Sequence, residues 1–147
     1  MSAKWRPDDS FLSKKGQQTI ELINRALEEN GFSSRRDQIL TSRDPKMNRV
    51  IRALRRTTYP DGFTGYLLPV FLFKYPPTFC FYQEAEPGAV LPDHSHPVDQ
   101  IRQVVWGEMI YKRKVLKAGD WMFIPAGVSY SIRAAKNPGM GINYMYG

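Results

Sequence analysis

The stretch PGAVLPDHSHPVDQIRQVVWGE, Pro87–Glu108, holds both histidines of the 147-residue chain, His94 and His96, one residue apart. Gly/Pro punctuation and β-branched residues predict a strand up to the histidines, a turn after Pro97 and a second strand from Gln100. On a strand, residues i and i+2 share a face. His94 and His96 therefore project together, at a separation that lets two imidazoles reach one ion. Alternation turns Ser95 to the other face, which argues against a Ser–His nucleophile pair. It places Asp93 in solvent as well, while Asp99 falls at the turn. Arg102 shares the face of Gln100, where an arginine either fixes an anionic substrate by bidentate hydrogen bonds or forms a rim salt bridge.

The segments around this stretch have the same texture. TGYLLPVFLF, TFCFYQEA, GAVLPDHSH, QIRQVVW, EMIYKRKVL, DWMFIP, VSYSIRA and GINYMY are short runs rich in β-branched and aromatic residues. Their close spacing predicts an antiparallel sandwich or barrel in which alternate residues point inward. In the second run, Phe79, Phe81 and Gln83 share one face and Thr78, Cys80, Tyr82 and Glu84 the other. If Tyr130 faces inward, strict alternation carries Val128 and Ile132 with it. Trp106, Trp121 and Met122 read as core or interface packing.

The first part of the chain differs. A polar arm over residues 1–16 precedes QQTIELINRALEENG, whose Ile20, Ile23 and Leu27 recur at helical spacing and whose Gly31 is a natural stop. KMNRVIRALRR, Lys46–Arg56, predicts a second short helix with Met47, Val50, Ile51 and Leu54 on one face and arginines around the rest. YPDG, Tyr59–Gly62, is a turn signal and the natural boundary. The expected organisation is a basic α-helical extension over 1–60 packing on a β-domain over 61–147.

Gly88, His94, His96, Gln100 and Gly107 reproduce the spacing of the first cupin motif, G-x5-H-x-H-x3-E-x6-G, with glutamine at the glutamate position. After eleven intervening residues, Gly119, Pro125 and Gly127 match the second motif, G-x5-P-x-G-x2-H-x3-N, with Tyr130 at the histidine position and Ala134 at the asparagine position. The chain thus resembles a small single-domain cupin over residues 64–147. The resemblance implies a mainly β fold, a double-stranded β-helix or jelly-roll barrel carrying the N-terminal helices, and a homodimer. By position it implies that His94, His96, Gln100 and Tyr130 hold one divalent transition metal: iron, manganese, nickel, zinc or copper.

Gln100 and Tyr130 depart from the cupin pattern. A glutamine oxygen is neutral, so the dication's charge stays uncompensated in a partly dry cavity. A substrate anion, a hydroxide or a Tyr130 phenolate then has to complete the shell. The alternative is that Gln100 and Tyr130 only hydrogen-bond an organic ligand. The expected function is a metal-dependent cupin enzyme acting on a small anionic or enolisable molecule, by oxygenase, isomerase, lyase or cyclase chemistry. Tyr130 and Arg102 are then the candidate catalytic residues. A non-catalytic ligand-binding or sensing cupin is the other possibility.

Composition narrows the classes further. Apolar content of 42% and the absence of long apolar runs fit a packed globule and exclude a bilayer-spanning helix. The single cysteine, Cys80, forms no internal disulfide and points to the cytoplasm. The net charge of +7 divides into +6 over residues 1–60 and +1 over the remainder. The two helices lack the tight turn of a helix-turn-helix, so nucleic acid is not the expected partner. A small molecule is.

Overall fold

The computed structural model describes residues 4–72 and 77–147; the predicted strand end at Phe73 lies outside them. A 3-10 helix, Ser10–Gly16, leads into α1, Gln17–Glu28. α1 buries Thr19, Ile23, Ala26 and Leu27 on one face, and Gly31 ends its last turn with φ +84°. α2 spans Met47–Ala53 and is shorter than the Lys46–Arg56 predicted. The reason lies in the strand beside it. After Leu54 the backbone bonds to β1 instead of continuing the helix: Leu67 N donates to Leu54 O at 3.0 Å and Arg56 N to Gly65 O at 2.9 Å.

Among the described residues eight antiparallel strands follow: β1 Phe63–Leu72, β2 Thr78–Ala85, β3 Val90–His94, β4 Gln100–Tyr111, β5 Lys114–Lys117, β6 Trp121–Ile124, β7 Tyr130–Ala134 and β8 Met140–Tyr146. The order β1-β2-β8-β4-β7-β3, with β5 and β6 also paired to β4, curls the sheet around one interior. QIRQVVW and the EMIY of EMIYKRKVL, predicted as separate strands, share one long strand, and the KVL of the latter belongs to β5. Residues Gln100–Gly107 pair with β8, and Glu108–Tyr111 pair with β5. Gly107 makes this continuity possible. Its φ is +71°, and a Cβ there would lie 2.1 Å from Gly139 O. The strand therefore bends at a residue that has no side chain to clash.

Register sets the interior. Phe81, Tyr144 and Arg102 are opposite one another across β2, β8 and β4, and Phe79, Tyr146 and Gln100 form the next row. Alternation turns both rows inward. One apolar cluster joins these strands to Ile23, Leu27, Met47, Val50 and Leu54, so both helices share the barrel's core. No helix among the described residues is long and apolar enough to cross a membrane.

Candidate functional site

His94 is the last residue of β3, where it pairs with Tyr130 of β7. His96 lies just past the strand, yet it is buried with His94, and their rings sit 4.9 Å apart and nearly perpendicular. Ser95, Asp93 and Asp99 are exposed. Asp99 has a turn role: its Oδ1 accepts Ala126 N–H at 2.8 Å.

Four of the predicted residues meet at one oxygen. His94 Nδ1–H donates to Pro92 O at 2.6 Å, so its Nε2 accepts from the Tyr130 hydroxyl at 3.0 Å. The same Tyr130 oxygen accepts from Gln100 Nε2 at 2.8 Å and from Arg102 Nε at 3.1 Å. Its donor and both acceptor positions are then in use. Burial, with the Arg102 charge adding to it, lowers the His94 pKa to about 4, so the ring is neutral near pH 7.

Arg102 is not at the rim; it is 2% exposed inside the barrel. Its Nη1 donates to Gln83 Oε1 at 3.0 Å, and its Cζ stands 4.6 Å over the Tyr144 ring, which itself stacks on Phe81 at 4.7 Å. Burial opposes the guanidinium charge, but the oxygens of Tyr130, Tyr146 and Tyr144 outweigh it, and Arg102 stays protonated. No ion pair reaches Arg102 among the described residues. It is a buried cation held by neutral groups.

His96 is reached from both ends. Its Nδ1–H donates to Asp9 Oδ1 at 2.7 Å, and Tyr146 OH lies 3.1 Å from its Nε2. Asp9 belongs to an N-terminal arm that lies over the barrel opening. Trp5 meets His94 edge-on at 5.1 Å and donates its Nε1–H to Thr58 O at 2.9 Å. Phe11 packs against Phe81 at 5.0 Å and Tyr146 at 5.1 Å. Arg56 anchors the arm through Asp8, at 3.0 Å to its carbonyl oxygen and 3.5 Å to its carboxylate. The space left beneath, bounded by Trp5, His94, His96, Arg102, Tyr144 and Tyr146, is about 20 Å³, room for a single water.

The structure thus brings together His94, His96, Gln100, Tyr130 and Arg102, although His96 lies past the end of β3 and the register shifts between Leu91 and His94. Val128 does not join them. β7 begins at Tyr130, so Val128 sits in the preceding turn, 48% exposed, and only Ile132 shares the inward face. Trp121 is an outer-face residue, 64% exposed, and Trp106 donates its Nε1–H to Tyr82 OH at 3.0 Å on the same outside. The sequence reading missed Asp9, Trp5 and Gln83. Gln83 lies on an inward face that alternation marked without a direction. Nothing local marks Asp9, whose partner lies 87 residues away.

The described residues contain no group of three or more histidine, cysteine, aspartate or glutamate side chains placed to hold a metal. The donor set that does converge is mixed. Both imidazoles turn Nε2 inward, and Gln100 Oε1 is buried without a hydrogen-bond partner among the described residues.

No family model matches the sequence, and no curated protein matches it. Solved structures do match its shape. A chain in the crystal structure of Rhodobacter sphaeroides SigE in complex with the anti-sigma ChrR superposes with TM-score 0.55 and 14% identity, over 100% of this chain and 70% of that one. KdgF from a Halomonas species gives 0.50 and 20%, over 63% and 84%. An oxalate decarboxylase variant from Bacillus subtilis gives 0.50 and 18%, over 63% of this chain and 26% of that one. KdgF and oxalate decarboxylase are cupin-like proteins. With its curled antiparallel barrel and the two glycine-framed strand pairs around His94 and Tyr130, the chain has the cupin fold.

Proposed function

We propose that the barrel is an enzyme site for a small organic anion, anchored by Arg102, with one divalent transition metal held by His94, His96, Gln100 and Tyr130. The observation that carries this is the Arg102 guanidinium, buried against Gln83, Tyr130 and Tyr144, all neutral. A charge withdrawn from water without an opposite charge is costly. A carboxylate or enolate supplies the missing partner, and the planar fork of arginine suits it.

The donors fit a divalent ion. Each Nδ1–H is bonded outward, which orients Nε2 toward the interior, and the unpartnered Gln100 oxygen is an oxygen ligand of the kind manganese, iron and zinc accept. When bound, such an ion supplies Lewis acidity, or dioxygen activation if it is iron, so its identity decides between oxygenase and isomerase, lyase or cyclase chemistry. The chain's own groups do the rest. Arg102 orients the anion, Gln100 and His94 fix the Tyr130 hydroxyl as proton donor or acceptor, and the aromatic wall excludes water.

Charge adds a condition. A dication held by these residues would share a water-poor interior with the Arg102 guanidinium, and the two like charges would repel each other. Metal and anion therefore favour each other's binding, and the resting protein binds metal weakly. Elemental analysis of protein purified without chelator, with a small carboxylate present, should find about one transition metal per chain, lost in His94→Ala and His96→Ala. No metal and no affinity for one overturns the metal-dependent reading.

A non-catalytic ligand-binding cupin is the second reading. It is favoured by the tyrosine hydroxyls that already meet both Nε2 atoms. It predicts anion binding indifferent to metal. In either case residues 1–60 act as an extension that packs on the 61–147 barrel and closes it, and the arm over the 20 Å³ space has to move aside for an anion to reach Arg102. The single unpaired cysteine supports a cytoplasmic location. The outer face exposing Ile101, Val105, Trp121 and Phe123 supports a homodimer.

A further inference from the structure

We propose that Asp9 is a positioning residue of the site, acting on His96 from the N-terminal arm. Among the described residues, Asp9 is the carboxylate that touches the candidate ligands: its Oδ1 accepts the His96 Nδ1–H at 2.7 Å. Two consequences follow from that bond. It fixes the His96 tautomer with the proton on Nδ1, leaving the Nε2 lone pair toward the interior, where Tyr146 OH lies at 3.1 Å. It also brings negative charge to a cluster that otherwise carries only the Arg102 cation. A carboxylate behind a ligating imidazole raises the basicity of that imidazole. Asp9 therefore offsets, through His96, part of the charge lost by having glutamine at position 100.

The arm that carries Asp9 is held independently of His96. Arg56 grips Asp8, Trp5 Nε1–H donates to Thr58 O, and the Thr19 hydroxyl donates to Phe11 O at 2.8 Å. Asp9 is thus presented by a braced segment, so its effect on His96 can be separated from the anchoring of the arm. The metal part of this proposal rests on the metal reading above; the tautomer part does not.

Two measurements on the full chain test it. With only two histidines in the sequence, long-range 1H–15N spectra of the metal-free protein resolve both rings, and His94→Gln assigns them. His96 should carry its proton on Nδ1 in the wild type and in Asp9→Glu, and populate the Nε2–H form in Asp9→Ala. Asp8→Asn, which weakens the grip of Arg56 on the arm but leaves Asp9 in place, should leave the tautomer unchanged. Next, Co2+ is titrated with excess malonate, a small carboxylate, present throughout, and followed by visible absorption and calorimetry. Asp9→Ala should weaken Co2+ about 10- to 100-fold, with partial recovery in Asp9→Glu. If Co2+ does not bind the wild type while the tautomer still shifts in Asp9→Ala, the metal reading fails and the positioning role stands. A His96 tautomer unchanged in Asp9→Ala overturns the proposal. So does an equal shift in Asp8→Asn, because Asp9 would then be only part of a structural clasp.

Discussion

Replacing Arg102 by methionine should separate stability from binding. The guanidinium is 2% exposed and makes hydrogen bonds of 3.0 and 3.1 Å to Gln83 and Tyr130, with a ring face 4.6 Å away. Each hydrogen bond to a charged group contributes about 1.5–3 kcal/mol, and the ring contact about 1–2 kcal/mol. Against these stands a desolvation cost of several kcal/mol for the cation. Arg102→Met also leaves Gln83 Oε1 buried without its donor, which costs about 1–3 kcal/mol. Tyr130 keeps His94 and Gln100. The terms nearly cancel, so Arg102→Met should change unfolding stability by no more than about 1–2 kcal/mol. Arg102→Met/Gln83→Leu, which removes the orphaned oxygen as well, should be stabilised by about 1–4 kcal/mol. Urea denaturation at pH 7 measures both. In parallel, malonate should raise the melting temperature of the wild type and leave both variants unmoved, a loss of about 2–5 kcal/mol in binding. A double variant destabilised by 3 kcal/mol or more, with its response to malonate intact, refutes the reasoning: Arg102 would be a structural group whose charge is already satisfied.

Gly107→Ala should cost about 3 kcal/mol or more in urea denaturation, because a Cβ there meets Gly139 O at 2.1 Å and φ is +71°; a change under 1 kcal/mol disproves the bend at that residue. Trp121→Glu/Phe123→Glu should convert the proposed dimer to a monomer in sedimentation analysis, since these side chains are 64% and 50% exposed on one face; an unchanged mass removes that face as the interface. Burial raises the Cys80 thiol pKa, so less of it is thiolate at pH 8 and iodoacetamide should alkylate it more slowly than a free thiol, with the rate climbing at higher pH than for that thiol; reaction at the free-thiol rate contradicts this.

The barrel was legible in the sequence because period-2 alternation and the Gly/Pro turns act locally. They put His94 with His96 and Arg102 with Gln100 on shared faces, and leave the direction of Tyr130 open. Two local errors have one cause, an assumed strand boundary: β4 passes through Gly107, and β7 starts after Val128. What alternation cannot supply is a partner from a distant element. Asp9 reaches His96, and Gln83 reaches Arg102, only after α1 and β2 have docked on the barrel. The filling of the barrel opening by Trp5 and Phe11 is equally invisible in a polar arm, where each aromatic stands alone in its neighbourhood.

In the proposed site, Arg102 and the histidine pair are short of negative charge together, so an anion and a metal ion depend on each other. Calorimetric titration of malonate into the wild-type protein, with and without stoichiometric Co2+, tests it most directly. Co2+ is predicted to tighten malonate at least tenfold, and malonate to tighten Co2+ by the same factor, as linkage requires. Malonate affinity that is the same with and without Co2+ would contradict the claim.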